Sequence, residues 1–469
     1  MRSRVSREST RTAGALPIIM VALSVSFGGV LQAAESTRHD SDGAPSRAAS
    51  SAASRHNVIL FIADGLRHDS VNATDAPTLL AVRQQGVSFV NSHSVYPTLT
   101  TPNAAAIATG HYPGDTGDFA NSQYNGYPSF DRGSFGKSPG SPSPFLENDA
   151  VLGDLDEHGE RGSFLSEMTL LALAREQGFS TAATGKLGPA AIQDVTQLAP
   201  ASGRFVTPRT VILDDSTGTP DGIPLSSEML SALSDAGLAS APPTRVQPAG
   251  NVSTPGTLAS NKAQQQWFAD AATRAVLPLF ARASRPFVLV YWSRDPDGSQ
   301  HNHGDSLNTP QPGINGPTSR AGVADADRNL RQLLDYLDSN PALRATTDVF
   351  VTSDHGFATI SKHEIDARGG VAGGYSTTLQ YGPAEKPTVV PGWLPPGFLA
   401  IDLAHLLELP LYDPDTSAVV DGERRYGAVD PAAHQFPTSG NAILGGTGAV
   451  GDRQARIVVA AGGGSDLIY

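Results

Sequence analysis

Three short apolar runs that each end on acidic residues constrain the fold more than any other feature of the chain. Asn57–Ile62 leads to Asp64 in "IADGL". Pro286–Trp292, "PFVLVYW", leads to Asp295 and Asp297 in "SRDPDG", and Thr347–Asp354, "TDVFVTSD", ends on Asp354 and His355. Nearly continuous apolar runs of this length are expected of strands buried on both faces of a parallel sheet. "ARIVVAA", Ala455–Ala461, reads as a fourth strand. Between them lie helical patterns. Ala326, Leu330, Leu333, Leu334 and Leu337 follow Val323 at helical spacing, and Ser163–Gly178 and Lys262–Phe280 also read as helices. Alternating strands and helices predict an α/β domain around a mostly parallel sheet. In such sheets ligands bind beyond the carboxyl ends of the strands. Carboxylates and an imidazole arriving there from three strands suit Zn²⁺ or a similar divalent ion. A single Asp-Gly is first of all a turn; the concurrence at three strand ends carries the reading.

The N-terminus reads as a secretory signal peptide over 1–33. Arg2, Arg4, Arg7 and Arg11 precede the apolar run "AGALPIIMVALSVSFGGVL", and small residues follow at Ala33 and Ala34. An uncleaved anchor is the other reading, disfavoured by Pro17, Gly28 and Gly29 within the run. Cleavage predicts an exported protein, periplasmic or extracellular, with no stable membrane insertion. Residues 34–55 form a Ser/Ala-rich linker and 56–469 one catalytic domain. Stretches at 126–147, 199–256 and 369–396, rich in Gly and Pro, read as insertions in that domain. The formal charge of −13 deepens when the arginine-rich leader is removed, which argues against binding of a nucleic-acid duplex. With no cysteine, disulfides, thiolate nucleophiles and Cys-ligated metals are excluded.

Two further positions draw attention. In "YPTLTTPNAAAIATG", Pro102 and Gly110 mark a helix start and stop, which sets Thr100 at a helix mouth where free N–H groups favour an anion. Thr100 is either a nucleophile or an ordinary cap. Lys186, in "AATGKLGPAA", is either a substrate-binding cation or a surface residue.

"IADGL", "YPTLTTPN…TGHYPGDTG", "DPDGSQHNHG" and "TSDHG" occur in that order. The series resembles that of the alkaline phosphatase superfamily, in its type I phosphodiesterase/nucleotide pyrophosphatase branch. The resemblance implies a three-layer alkaline-phosphatase-like α/β fold and a hydrolase of phosphoric esters, acting on a small phosphate ester or nucleotide through a phospho-threonine. It implies Thr100 as nucleophile and Asn121 as donor to a phosphoryl oxygen. It further implies two divalent ions, Zn²⁺ by type. One is held by Asp64, Asp354 and His355 and touches Thr100; the other is held in part by Asp297 and His301. Thr101, Ala104 and Gln300 depart from the family pattern. A sulfatase is disfavoured, since the chain has no cysteine and Ala104 stands where an arginine should.

The resemblance also demands a late histidine for the second ion. His363, His405 and His434 lack that context, and His303 is the nearby spare. The expectation is a C-terminally shortened chain whose second site is incomplete. The alternatives are a monoesterase or phosphonate hydrolase that uses Lys186, and an inactive metal- or phosphate-binding remnant.

Overall fold

The computed structural model describes residues 55–125, 127, 142–158, 164–195, 209–245, 259–301, 316–357, 374–376, 394–452, 454, 457–462 and 466–469. The leader and nearly all of the 34–55 linker lie outside these residues, as do His303 and His363. Among the described residues no helix is long and apolar enough to cross a membrane.

Five strands form a parallel sheet in the order β3-β2-β4-β1-β5: β1 (Asn57–Ala63), β2 (Ser180–Gly185), β3 (Val211–Leu213), β4 (Phe287–Ser293) and β5 (Thr347–Thr352). Alternate side chains go to opposite faces, as the two-residue period of a strand requires. Ile59, Phe61, Leu289 and Tyr291 pack against the helices Ser227–Asp235, Lys262–Ala271 and Pro317–Asp338. Ile62, Val288, Val290 and Trp292 pack against Thr100–Thr109, Asp149–His158 and Leu170–Glu176 on the other side. Both faces of the central strands are therefore covered and every residue of β4 is buried, whereas the edge strand β5, also expected to be buried on both faces, leaves Asp348 and Phe350 exposed.

β2 and β3 escaped the sequence reading. "STAATG" has small residues in place of an apolar run, and β3 is three residues long. The stretch 199–256, read as an insertion, holds β3 and the helix Ser227–Asp235, so part of it builds the sheet and its cover. The expected fourth strand exists as β9 (Ile457–Ala461), but it pairs antiparallel in a second sheet. That sheet, in the order β10-β9-β8-β6-β7, adds β6 (Leu411–Val420), β7 (Glu423–Val429), β8 (Ala442–Leu444) and β10 (Asp466–Ile468). A short apolar run cannot reveal which partner it will pair with.

Helix bounds also differ. The helix expected over Ser163–Gly178 spans Leu170–Glu176, because Thr169 caps it by accepting from the Ala172 N–H at 3.2 Å. The one expected over Lys262–Phe280 runs to Ala283 but widens into a π turn at Ala272–Val276. Pro278 lies just beyond; it lacks an N–H and its ring would crowd the carbonyl four residues back. His405 lies on the apolar helix Phe398–Leu407, its ring stacked on Tyr375 at 3.8 Å, away from the ligand clusters described below.

Candidate active site and metal centre

β1, β4 and β5 are neighbours in register, so their carboxyl ends deliver Asp64, Asp297 and Asp354 to one edge of the sheet. The backbone then locks them. Asp64 N donates to Ser293 O at 3.0 Å, and Asp297 N donates to Asp64 O at 3.0 Å. Gly65 N and His355 N both donate to Asp354 Oδ1, at 3.0 and 2.9 Å. Trp292 Nε1 donates to Asp64 Oδ2 at 2.6 Å. Gly65 adopts φ +65°, and a Cβ there would lie 2.9 Å from Asp297 Cβ, so glycine is required for this close approach.

One donor set is assembled. Asp64, Asp354 and His355 place their ligand atoms within 4.8 Å of one another, and among the described residues no other group of three does so. His355 Nε2 lies 3.6 Å from Asp64 Oδ1, 3.4 Å from Asp354 Oδ2 and 3.1 Å from Thr100 Oγ1. Neighbouring ligands of a tetrahedral ion with bonds of about 2.0–2.1 Å stand roughly 3.3 Å apart, close to these spacings. Asp64 Oδ1 and Asp354 Oδ2 are both buried with no hydrogen-bond partner. His355 Nδ1 faces the Gly356 carbonyl at 2.6 Å; a carbonyl only accepts, so Nδ1 carries a proton and Nε2 is the atom turned to the carboxylates, protonated beside them in the metal-free chain and a ligand atom once an ion takes that proton's place. The set fits a divalent ion.

The charges agree. Burial, then Asp354, pushes the Asp64 carboxyl well above the usual range, against the pull of Lys186. Burial opposes charge on His355, but Asp354, Asp64 and Asp297 outweigh it and push the imidazole up to about 9. A cation among these carboxylates relieves the strain that burial and like charge impose on them.

Asp297 and His301 sit at the ends of the one-turn helix Asp297–His301, which brings His301 Nε2 to 3.1 Å from Asp297 Oδ1. Asp297 Oδ2 is already taken by Lys186 Nζ at 3.0 Å. No third ligand joins the pair among the described residues. The residues present therefore do not fit a second ion as they fit the first. Asp295 is structural: its Oδ1 accepts from the Ser299 N–H and hydroxyl at 3.1 and 2.7 Å.

Thr100 opens the helix Thr100–Thr109 and is 3% exposed. The loop before it is held by Asn103, which accepts from Val95 N at 2.8 Å and donates to Leu99 O at 2.8 Å. Asn121 Oδ1 accepts from the Thr101 N–H at 2.9 Å, which orients its carboxamide at the helix mouth. Thr101, which replaces an aromatic residue of the family pattern, is fully buried and donates toward Asp118 Oδ1 and Ala120 O.

Lys186 is buried, not a surface residue. Its Nζ lies 3.1 Å from Asp64 Oδ2 and 3.2 Å from Glu147 Oε1, and it donates to Thr100 Oγ1 at 3.3 Å. Burial opposes its charge, but Asp297, Asp64 and Glu147 outweigh it and hold the ammonium above the ordinary lysine range. Glu147 and Trp292 were missed in the sequence. Glu147 falls in a Pro/Ser-rich stretch with no motif, and Trp292 is one more apolar residue of a strand until its indole N–H finds Asp64.

The chain matches the type I phosphodiesterase/nucleotide pyrophosphatase family over residues 58–369. It belongs to that family. The match covers every one of these positions, from Asp64 to His355. No match was found among curated proteins. Solved structures similar to this member of the type I phosphodiesterase family include a phosphonoacetate hydrolase from Sinorhizobium meliloti 1021 in complex with phosphonoformate (18% identity, TM-score 0.38, covering 73% of this chain and 66% of that one). Another is murine ectonucleotide pyrophosphatase/phosphodiesterase 5, an inactive variant in complex with AMP (17% identity, TM-score 0.38, covering 71% and 62%). The chain spans less than two thirds of the length of either.

Near the site, Asp118 carries a consequence for stability. It is fully buried, and burial pushes it up to about 8 against the hydrogen bonds from Thr101 and Ala120. An unfolded aspartate titrates at about 3.9. Between those values the folded chain holds a proton that the unfolded chain has released, so stability falls as pH rises through the window. Asp118→Asn is expected to flatten that slope, with melting temperatures converging on wild type near about pH 4. Parallel thermal melts across the range check it; identical slopes would remove the argument.

Proposed function

We propose that this chain is an exported, metal-dependent hydrolase of phosphoric esters that acts on phosphodiesters or nucleotide pyrophosphates through Thr100. The observation that carries the reading is the position of Thr100 Oγ1, 3.1 Å from His355 Nε2 and 3.3 Å from Lys186 Nζ at the mouth of a helix. A divalent ion at Asp64, Asp354 and His355, Zn²⁺ by its ligand types, would lower the pKa of the Thr100 hydroxyl and neutralise developing charge. Thr100 Oγ, its proton released to solvent, attacks phosphorus in line as the bond to the leaving oxygen breaks, giving a phospho-threonine and an alkoxide that takes a proton from water. Water then cleaves the phospho-threonine and restores the hydroxyl. Lys186 donates to the attacking oxygen. At the helix mouth the Thr101 N–H is held by Asn121 Oδ1 and Pro102 has none, so the Asn121 side-chain NH₂ is the group that offers a hydrogen bond to a phosphoryl oxygen.

Chelation is expected to abolish hydrolysis of bis-p-nitrophenyl phosphate, and Zn²⁺ to restore it. Full activity in metal-free protein would end the metal-dependent reading. A second reading, a monoesterase or phosphonate hydrolase, is favoured by the contact of Lys186 with Thr100, since a fixed ammonium suits a dianionic phosphoryl group. Under the favoured reading bis-p-nitrophenyl phosphate is cleaved faster than p-nitrophenyl phosphate. The reverse order, with a selective loss of monoester hydrolysis in Lys186→Ala, would establish the second.

A further inference from the structure

We propose that the Lys186 ammonium is a built-in cation that occupies the place of a second metal ion, so that this chain loads one divalent ion per site and not two. The inference rests on the phosphoric ester hydrolase reading and concerns how the site is charged. Four oxygen atoms surround Nζ: Asp297 Oδ2 at 3.0 Å, Asp64 Oδ2 at 3.1 Å, Glu147 Oε1 at 3.2 Å and Thr100 Oγ1 at 3.3 Å. An ammonium has three protons to donate, so it is fully satisfied there and nothing draws it elsewhere. Three of those four oxygens belong to carboxylates, which is the ligand chemistry of a divalent ion.

Only one oxygen of Asp297 is free of the ammonium: Oδ1, which makes no hydrogen bond. One oxygen faces Lys186, and the other faces His301 Nε2 at 3.1 Å. A carboxylate-bound ion would sit about 2.0–2.2 Å from its oxygen, within a few ångströms of the lysine charge. Like charges that close in a buried site repel strongly, so a second ion requires Lys186 to move or lose its proton. The fold resists movement. Lys186 N donates to Trp292 O at 3.1 Å, and Gly185 before it adopts φ +126°, with no room for a Cβ against Trp292. Two residues on, a Cβ at Gly188 would lie 2.6 Å from Glu147 Cα, so the loop that carries Lys186 is packed on the backbone that supplies its third carboxylate. His301, the other expected ligand, is 57% exposed and rests edge-on against Phe357 at the rim.

The test is metal stoichiometry, by elemental analysis and by Zn²⁺ titration calorimetry of chelator-treated full chain. Wild type is expected to bind one equivalent. Lys186→Met vacates Asp297 and Glu147 and is expected to raise the count to two. Asp297→Asn in the otherwise wild-type chain is expected to leave it at one, a control that holds even if Lys186→Met fails to fold. Two equivalents in wild type, loss of an equivalent in Asp297→Asn, or a folded Lys186→Met that stays at one would each overturn the proposal. The count is read without turnover, so two ions beside Thr100-dependent activity would sink this inference alone. One ion beside activity independent of Thr100 would sink the hydrolase mechanism instead.

Discussion

Thr100→Ala is expected to lower turnover of an activated phosphate ester by roughly a thousand-fold or more, while the bound metal stays unchanged. The effect should be this large because the hydroxyl is the one described nucleophile at the helix mouth, in contact with both His355 Nε2 and Lys186 Nζ. The metal should stay because each of its three ligands is also fixed by a group other than Thr100. Asp64 is fixed by Trp292 Nε1 and by its own N–H to Ser293, Asp354 by two backbone N–H groups, and His355 by the Gly356 carbonyl. Thr100→Ser keeps the hydroxyl and is expected to retain far more activity than the alanine variant. Single-turnover kinetics, with metal content measured on the same samples, decide it. An alanine variant within about tenfold of wild type would remove Thr100 from the chemistry.

The largest structural effect is expected at Gly185. It pairs with Trp292 across β2 and β4 in the parallel ladder. Its φ of +126° is a region that L side chains rarely adopt, and a Cβ would lie 1.8 Å from Trp292 O. Backbone on backbone has no rotamer by which to yield. Gly185→Ala is therefore expected to destabilise the chain by at least about 3 kcal/mol, or to prevent folding. Gly178 is the control. It too has a positive φ, +83°, but a Cβ there meets nothing within 4 Å, so Gly178→Ala should cost only about 1 kcal/mol. Urea denaturation of the pair makes the comparison. Equal, small losses would mean that β2 does not approach β4 as described, and the placement of Lys186 would fall with it.

The same position shows how far the sequence could be read. The apolar runs of β1 and β4 announced themselves because strands covered on both faces carry few polar residues, and β5, at the sheet edge with Asp348 and Phe350 exposed, was legible from its valines and from the acidic residue at its end. Their acidic ends followed as a common site, since parallel neighbours share one carboxyl edge. "STAATG" offered no such signal. Its small side chains fit beneath the helices that pack on that face, and small residues are compatible with almost any local structure. Lys186 was consequently visible as a lysine after a glycine, with surface and site both open to it. Glu147 was not visible at all, because its partner is 39 positions away along the chain and no spacing rule links them.

Sequence order thus sufficed for three of the five parallel strands, for Asp64, Asp354 and His355 at their edge, and for Thr100 at a helix mouth. Each follows from local pattern and from the direction of parallel strands. Which cations those carboxylates share was decided only in three dimensions. "SRDPDGSQHNHGDS" is the densest ligand cluster of the chain, yet its Asp297 has one oxygen on a lysine delivered by β2 and the other on His301. Charge pairing in a buried site depends on distance through space. The strand order β2-β4-β1 sets that distance, and no stretch of sequence records it.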